Sequence, residues 1–289
     1  MIVTILNIVI AGLLMGGIYA LIAVGFSLQY GVARVLNVSH GEFMMLGAFI
    51  TWMFYTVFGV NPLVSLAISG PITLIIGFLL HRTLLTRIRI SSASLGVFEG
   101  KSMLASFGLL FIIQNIAILI WGNAVKGYTY LDSSVNIGGA IFAANRLVTL
   151  GFALVIGLVF YLFLARTRLG KAIRAAAQDP ATAGLMGVNI NQVLAICFGF
   201  GALMAGFGGV LISMCFSIQP TMGFQFTVIA IIVVVLGGLG SIPGSFIGGF
   251  VLGLVGSIVS HWQPALSLAA YYMLFIVLLI VKPTGILGK

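Results

Sequence analysis

Arg166-Thr-Arg-Leu-Gly-Lys-Ala-Ile-Arg-Ala-Ala-Ala-Gln-Asp-Pro-Ala-Thr-Ala-Gly-Leu-Met-Gly187 decides how this chain is read. It opens with four positive charges, Arg166, Arg168, Lys171 and Arg174, continues into an Asp-Pro pair and closes on glycine. Apolar sequence flanks it on both sides. Residues 147–165 hold no charge, and residues 180–281 contain no Lys, Arg, Asp or Glu. Soluble domains carry charge on about a quarter of their residues. The stretch therefore reads as one structured polar interruption between tracts that belong in lipid.

The interruption has local signals of its own. Asp179 can accept from free backbone N–H groups at an N-cap, and Pro180 suits the first helical position. Gly187 suits the residue just past a helix end. These signals predict a helix of about two turns over 180–186, with Ala181, Leu185 and Met186 as its apolar positions. So short a helix is unstable alone in water and needs a partner surface. Two surfaces fit: lipid headgroups, or a groove in a cytoplasmic ATPase. On the second reading, Arg174, Asp179, Pro180, Ala181, Leu185, Met186 and Gly187 couple a separate motor to the membrane part.

Composition sets the solvent. The chain is 61% hydrophobic and 6% charged, with a mean hydropathy of +1.27. No soluble core could hide so much apolar surface. Apolar tracts of membrane-helix length recur, and the alternation of a membrane β-barrel is absent. The first 33 residues lack Lys and Arg, so a signal-peptide n-region is missing and the start reads as a membrane helix. Cys197 and Cys215 lie in apolar context and read as packing residues, not as a disulfide.

The net charge of +9 would suggest nucleic acid in a soluble protein. Its distribution argues against that and for cytoplasmic loops. Arg82, Arg87, Arg89 and Lys101 fall in one segment and the four cations after residue 165 in another. Arg34, Lys282 and Lys289 join them on the inside. Lys126, Arg146 and Asp132 remain for the outside. The expected fold is all-α and polytopic, a single transmembrane domain over 1–289 with a cytoplasmic coupling segment at about 166–189. Helices are expected at about 4–30, 41–58, 62–80, 103–121, 147–165, 190–213, 245–260 and 265–281. The apolar run 226–236 is short for a span. Eight or nine segments result, with loop 81–101 and the C-terminus inside and loop 122–146 outside.

Glycines punctuate the last third. Gly240, Gly244 and Gly248 form a ladder, and Gly249 with Gly253 makes a second face. Such spacing allows close helix packing, within the fold or against a second subunit.

Asn37-Val-Ser-His-Gly-Glu42 is the other polar cluster, between the first two helices. Ionisable groups in membrane segments are costly and mark functional candidates. Asn37, Ser39, His40 and Glu42 can be a helix break lining a translocation path. They can equally form a turn at the cytoplasmic end, with Glu42 paired to Arg34 and Ser39 or Asn37 capping the second helix. Gln114, mid-helix beside Asn115, can bridge helices or touch substrate. Catalytic constellations are missing: the three histidines are isolated, and no phosphate loop occurs, so a second chain must hydrolyse any ATP.

Four stretches together resemble a known family. They are 12–31 (GLLMGGIYALIAVGFSLQYG), 36–48 (LNVSHGEFMMLGA), 170–189 (GKAIRAAAQDPATAGLMGVN) and 234–249 (VVLGGLGSIPGSFIGG). In this order they are similar to permeases of the branched-chain amino acid ABC importers, of the LivH type, over essentially the whole chain. The resemblance implies an inner-membrane subunit without its own cofactor. Its implied partners are a second permease of LivM type, two cytoplasmic ATPases and a periplasmic substrate-binding protein. It also implies that the segment matching 170–189 faces the ATPase. Relatives carry urea, short amides or aromatic acids on the same scaffold. Family members often have N-F-A-H-G-E where this chain has N-V-S-H-G-E. The contrasting class is a self-sufficient secondary transporter or channel, which needs titratable membrane groups that this chain hardly offers.

Overall fold

The computed structural model describes residues 2–282 and 284–287; Lys289, assigned above to the inner end, lies outside them. The elements are α1 (Ile2–Ala33), α2 (His40–Phe58), α3 (Leu66–Leu80), a π-turn at His81–Leu85, α4 (Thr86–Ile90), α5 (Leu95–Trp121), β1 (Ser134–Ile137), β2 (Ala140–Ala143), α6 (Ala144–Arg166), α7 (Arg168–Gln178), α8 (Pro180–Leu185), α9 (Ile190–Ser213), α10 (Met222–Gly237), α11 (Ile242–Trp262) and α12 (Ser267–Val281). Among the described residues, eight helical stretches are long and apolar enough to cross a membrane, and α10 is a shorter apolar helix. The chain is an all-α polytopic membrane protein.

Two sequence expectations change. The basic loop expected over 81–101 is mostly helix. The third helix runs on through the π-turn to Ile90, and α5 starts at Leu95, where the Ser94 hydroxyl accepts from Val97 N. Arginines are good helix formers, so charge there marks a side of the membrane without breaking the helix. The short run at 226–236 is also longer than expected. It starts at Met222, giving α10 16 residues.

Helix α1 is the axis of the bundle, packed against α11, α9, α10 and α6, while α9 also packs on α2 and α3. Glycine permits this closeness. A Cβ on Gly249 would strike the Ala20 backbone, and one on Gly253 would strike Gly16. The ladder of Gly244 and Gly248 faces α10 instead, at Gly237 and Val233. Gly240 is not part of that helical ladder. It lies in the break before α11 with φ +81 and meets Gly31 of α1. Ser241 then caps α11, accepting from Gly244 N. After α12 the chain returns, and Ile286 N donates to Leu236 O, so the free carbonyls at the end of α10 find partners.

The bundle has two unlike ends. One carries the C-terminal end of α1, α7 and the 238–241 break, which meet around Gly31, Arg174 and Gly240. The other carries the β1–β2 hairpin, with Val135 opposite Phe142, and a bridge between Lys126 and Ile218.

Candidate functional site

The link between α1 and α2 does not turn at the end of the bundle. Arg34, at φ +55, reverses the chain. Residues 35–39 then run back along α1 until His40 Nε2 lies 2.9 Å from Ile22 O. That is about three helical turns before the end of α1. Non-helical backbone at membrane depth is tolerated where protein buries it or where it lines a cavity. Here protein buries it: Asn37, Ser39 and His40 are all fully buried.

A polar knot satisfies the segment. Gln29 Nε2 donates to Phe198 O at 3.0 Å, and Gln29 Oε1 accepts from Asn37 Nδ2 at 3.0 Å. Asn37 Oδ1 accepts from both the backbone N–H and the hydroxyl of Ser39. His40 Nδ1 lies 3.1 Å from Gln29 Oε1. Val38 N donates to Ser106 Oγ, Gly41 N donates to Thr227 Oγ1, and the Thr227 hydroxyl donates to Val38 O. Helices α1, α5 and α10 thereby hold one short segment directly, and α9 anchors it through Gln29. Sequence reading missed Gln29, Ser106 and Thr227. A lone amide or hydroxyl in an apolar helix was the available signal.

Glu42 corrects one expectation. Its carboxyl is buried, and neither oxygen has a hydrogen-bond partner. It lies over Gly223 near the start of α10. Arg34 does not pair with it, and its guanidinium lies 5.9 Å from the Tyr30 ring centre. The reversal at Arg34 explains the separation, because it carries residue 42 inward while Arg34 stays at the end. The expected cap is absent as well: Ser39 occupies the N-cap of α2 but makes no capping bond, its side chain being turned to Asn37. Gln114 stands apart, half-buried on α5, about two turns from Ser106.

At the α7 end, the chain makes a helical pair. Thr167 caps α7, and Ile173 and Ala176 bury its apolar side. This helix was not expected from the sequence. The Arg174 guanidinium donates to Leu164 O at the end of α6. Asp179 then caps α8 through Ala181 N and Thr182 N, with Pro180 in the first turn. The Thr182 hydroxyl, and after it the backbone N–H groups, hold the Asp179 carboxyl below its ordinary range. At the other end Gly187, at φ +86, donates to Gly184 O, and Val188 N donates to Ala183 O. Those two bonds are a Schellman closure. Ala183 is the buried contact of α8, whereas Ala181 is exposed and Leu185 and Met186 are 88% and 81% exposed.

A cavity of about 510 Å³ opens toward the hairpin end, lined among others by Tyr19, Gln225, Ser257, Ser260, Leu268 and Tyr271. No charged side chain lines it. The first turn of α10 stands between this cavity, which Gln225 lines, and the knot, which Gly223 meets. None of these lining residues was a sequence candidate.

Residues 8–281 match the family described as branched-chain amino acid transport system, permease component. The chain belongs to this permease family. It is 31% identical over 295 residues to the high-affinity branched-chain amino acid transport system permease protein LivH of Salmonella typhimurium, covering 96% of this chain and 94% of the relative. It is 30% identical over 298 residues to the corresponding protein BraD of Pseudomonas aeruginosa, with the same coverage of 96% and 94%. The fructose import permease protein FrcC of Rhizobium meliloti is a more distant relative, 26% identical over 226 residues, 76% of this chain and 61% of its own. This permease is thus the membrane-spanning component of a transport system.

Proposed function

We propose that this permease forms the translocation path of an ATP-driven importer for branched-chain amino acids, together with a second permease of LivM type. Two cytoplasmic ATPases drive it, and a periplasmic binding protein delivers the substrate. It needs no cofactor of its own. The reading places the protein in the bacterial inner membrane, with α7, α8 and the C-terminus cytoplasmic and the hairpin outside. The basic residues of 166–174 support that orientation.

The observation that carries the coupling role is α8. A six-residue helix, capped at both ends, holds Leu185 and Met186 out into solvent. Two large apolar side chains on so small and so well terminated an element suit a groove in a partner protein. The substrate reading rests on the LivH and BraD relatives and on chemistry. A zwitterion with an apolar side chain needs a neutral path with a few hydroxyls and amides, which the outer cavity supplies. The path continues past the first turn of α10 to Asn37, Ser39, His40 and Glu42, with Gln114 on its flank, and the knot closes it in this conformation.

The test is reconstitution with the partner permease, ATPases and binding protein in proteoliposomes. The expected result is leucine uptake that requires ATP and that urea, fructose and aromatic acids do not inhibit. Uptake by the permease alone, driven by an ion gradient, would overturn the reading in favour of a secondary transporter.

A further inference from the structure

Two cavities meet at the α7 end of the bundle. The first, about 440 Å³, is a groove between α6 and α11. Its floor is Val24, Gly157 and Phe246, and its rims are Leu154, Leu158 and Ile247. It is apolar apart from Tyr161. The rims lie open to the surroundings, Leu158 at 58% exposure and Ile247 at 47%. Gly157 makes the groove possible, because a Cβ there would strike the Phe246 ring.

The second cavity, about 370 Å³, shares Tyr161, Ile242 and Pro243 with the first and is therefore its continuation. Its character is different. Arg174, Gln178, Ser241 and Ser27 line it. Arg174 spends one N–H on Leu164 O, and a guanidinium has five. Ser27 gives an independent sign. It is buried at 1% exposure, and its hydroxyl has no hydrogen-bond partner. Helical Ser and Thr hydroxyls usually bond back one turn, as Thr51 does to Gly47 O and Ser69 to Ser65 O. Ser27 keeps its donor free beside the cavity.

An apolar groove at membrane depth that runs into a pocket with an arginine and a spare hydroxyl matches one ligand class. We propose that this is a binding site for an anionic phospholipid of the inner leaflet. One acyl chain lies in the α6–α11 groove, and the phosphate sits at Arg174 with Ser27 and Ser241 as further donors. Charge complementarity selects the headgroup. Arg166, Arg168 and Lys171 lie on the same short segment as Arg174, and basic pockets between membrane helices on the inner side suit such headgroups. The inference rests on the orientation given above, with α7 at the cytoplasmic face. Arg174, expected from sequence to serve the ATPase contact, thereby acquires a lipid-facing role. A lipid bridging α6, α7 and α11 would hold the coupling segment to the bundle.

The experiment is native mass spectrometry of the full chain, exchanged into mixed micelles containing either phosphatidylglycerol or phosphatidylcholine. The expected result is retained phosphatidylglycerol in preference to phosphatidylcholine. R174Q should reduce that preference by about fivefold, the effect of one basic side chain at an anionic surface. L158W, which fills the groove, should lower retention of both lipids. Both residues are exposed, although Arg174 also donates to Leu164 O, so the melting temperature of each variant is compared with that of the unaltered chain. Equal retention of the two lipids by the unaltered chain, or retention unaffected by either variant, would overturn the site. So would efficient disulfide cross-linking of L158C to the second permease in the assembled importer, because the groove would then be a subunit contact. None of these outcomes depends on which amino acid is transported.

Discussion

The Glu42 carboxyl lies over Gly223, in the space that any side chain at position 223 would need. A carboxyl and a bare Cα therefore share one site between α2 and α10. Gly223→Ala should displace Glu42 and destabilise the protein by about 1–3 kcal/mol, the usual cost of overpacking. Glu42→Ala should restore most of that loss when combined with it. A double-mutant cycle read by thermal unfolding in detergent gives the answer. Simple additivity of the two changes would mean that the residues do not share the space.

Glu42 and Arg34 should behave as independent residues. Glu42→Gln removes a potential charge from a site that gives its oxygens no partner, so stability should hold or rise. Arg34→Gln loses only its contact with Tyr30. Their effects should add to within about 0.3–0.5 kcal/mol. A larger coupling energy would reinstate the ion pair that the sequence suggested.

The knot around Gln29 offers a different test. Asn37→Leu strands the Ser39 N–H and hydroxyl together, and it takes from Gln29 Oε1 its amide donor. Each buried group left without a partner costs about 1–3 kcal/mol. The variant should therefore unfold at clearly lower temperature than Ser92→Ala, which alters only a loop hydroxyl bonded to Ile88 O. Equal melting of the two variants would show that the knot is dispensable.

What could be read from the sequence depended on how local the cause was. Asp179, Pro180 and Gly187 act on residues within one turn, so α8 was legible to within a residue of its end. Apolar length likewise located eight long helices and left 226–236, now part of α10, as the short one. The knot was illegible as a unit because Gln29, Asn37, Ser106, Phe198 and Thr227 come from five segments. Only the reversal at Arg34 brings them together. The same reversal separated Arg34 from Glu42, which spacing alone had made natural partners. The α6–α11 groove leaves even less trace, since Leu158 and Ile247 look like any other membrane leucine or isoleucine.

Helical glycines should differ sharply in tolerance. A Cβ at Gly253 meets the backbone of Gly16, whereas one at Gly108 meets nothing within 4 Å. Gly253→Leu should separate α1 from α11 and abolish recovery of a monodisperse protein. Gly108→Leu should change stability by no more than about 0.5 kcal/mol. Size-exclusion profiles after detergent extraction report both, and a well-folded Gly253→Leu variant would contradict the α1–α11 packing.

The α8 cap carries a pH signature. Hydrogen bonds hold the Asp179 carboxyl below its ordinary value of 3.8, so the folded form binds its proton less readily than the unfolded one. The stabilisation is then fully present at neutral pH and fades only as pH falls through the folded value. Hydrogen exchange at the Ala181 and Thr182 amides should stay protected from neutral pH down to the carboxylate range. Asp179→Ala should remove that protection at every pH, and Asp179→Asn should retain it, since Asn caps as well as Asp. Early loss of protection near pH 6 would assign the stability of α8 to some other group.

The coupling role is tested most directly at Leu185 and Met186. Both side chains are almost fully exposed, so replacing them should leave the permease as stable as before. If a partner groove buries them, each contributes roughly 1.5–3 kcal/mol to attachment. The double change to Asp would then weaken ATPase attachment by about a hundredfold or more. Leucine uptake should collapse in proteoliposomes, and the ATPases should no longer co-purify, while the melting temperature of the isolated permease stays put. Single substitutions to Ala should give intermediate losses, because each removes one anchor. Placing the charges at Ala181 and Gly184 instead would separate contact from mere polarity, since those positions are exposed but hold no large apolar group. Normal uptake by the Leu185→Asp, Met186→Asp variant would leave α8 as an interfacial helix on lipid headgroups, and the motor would have to grip the permease elsewhere.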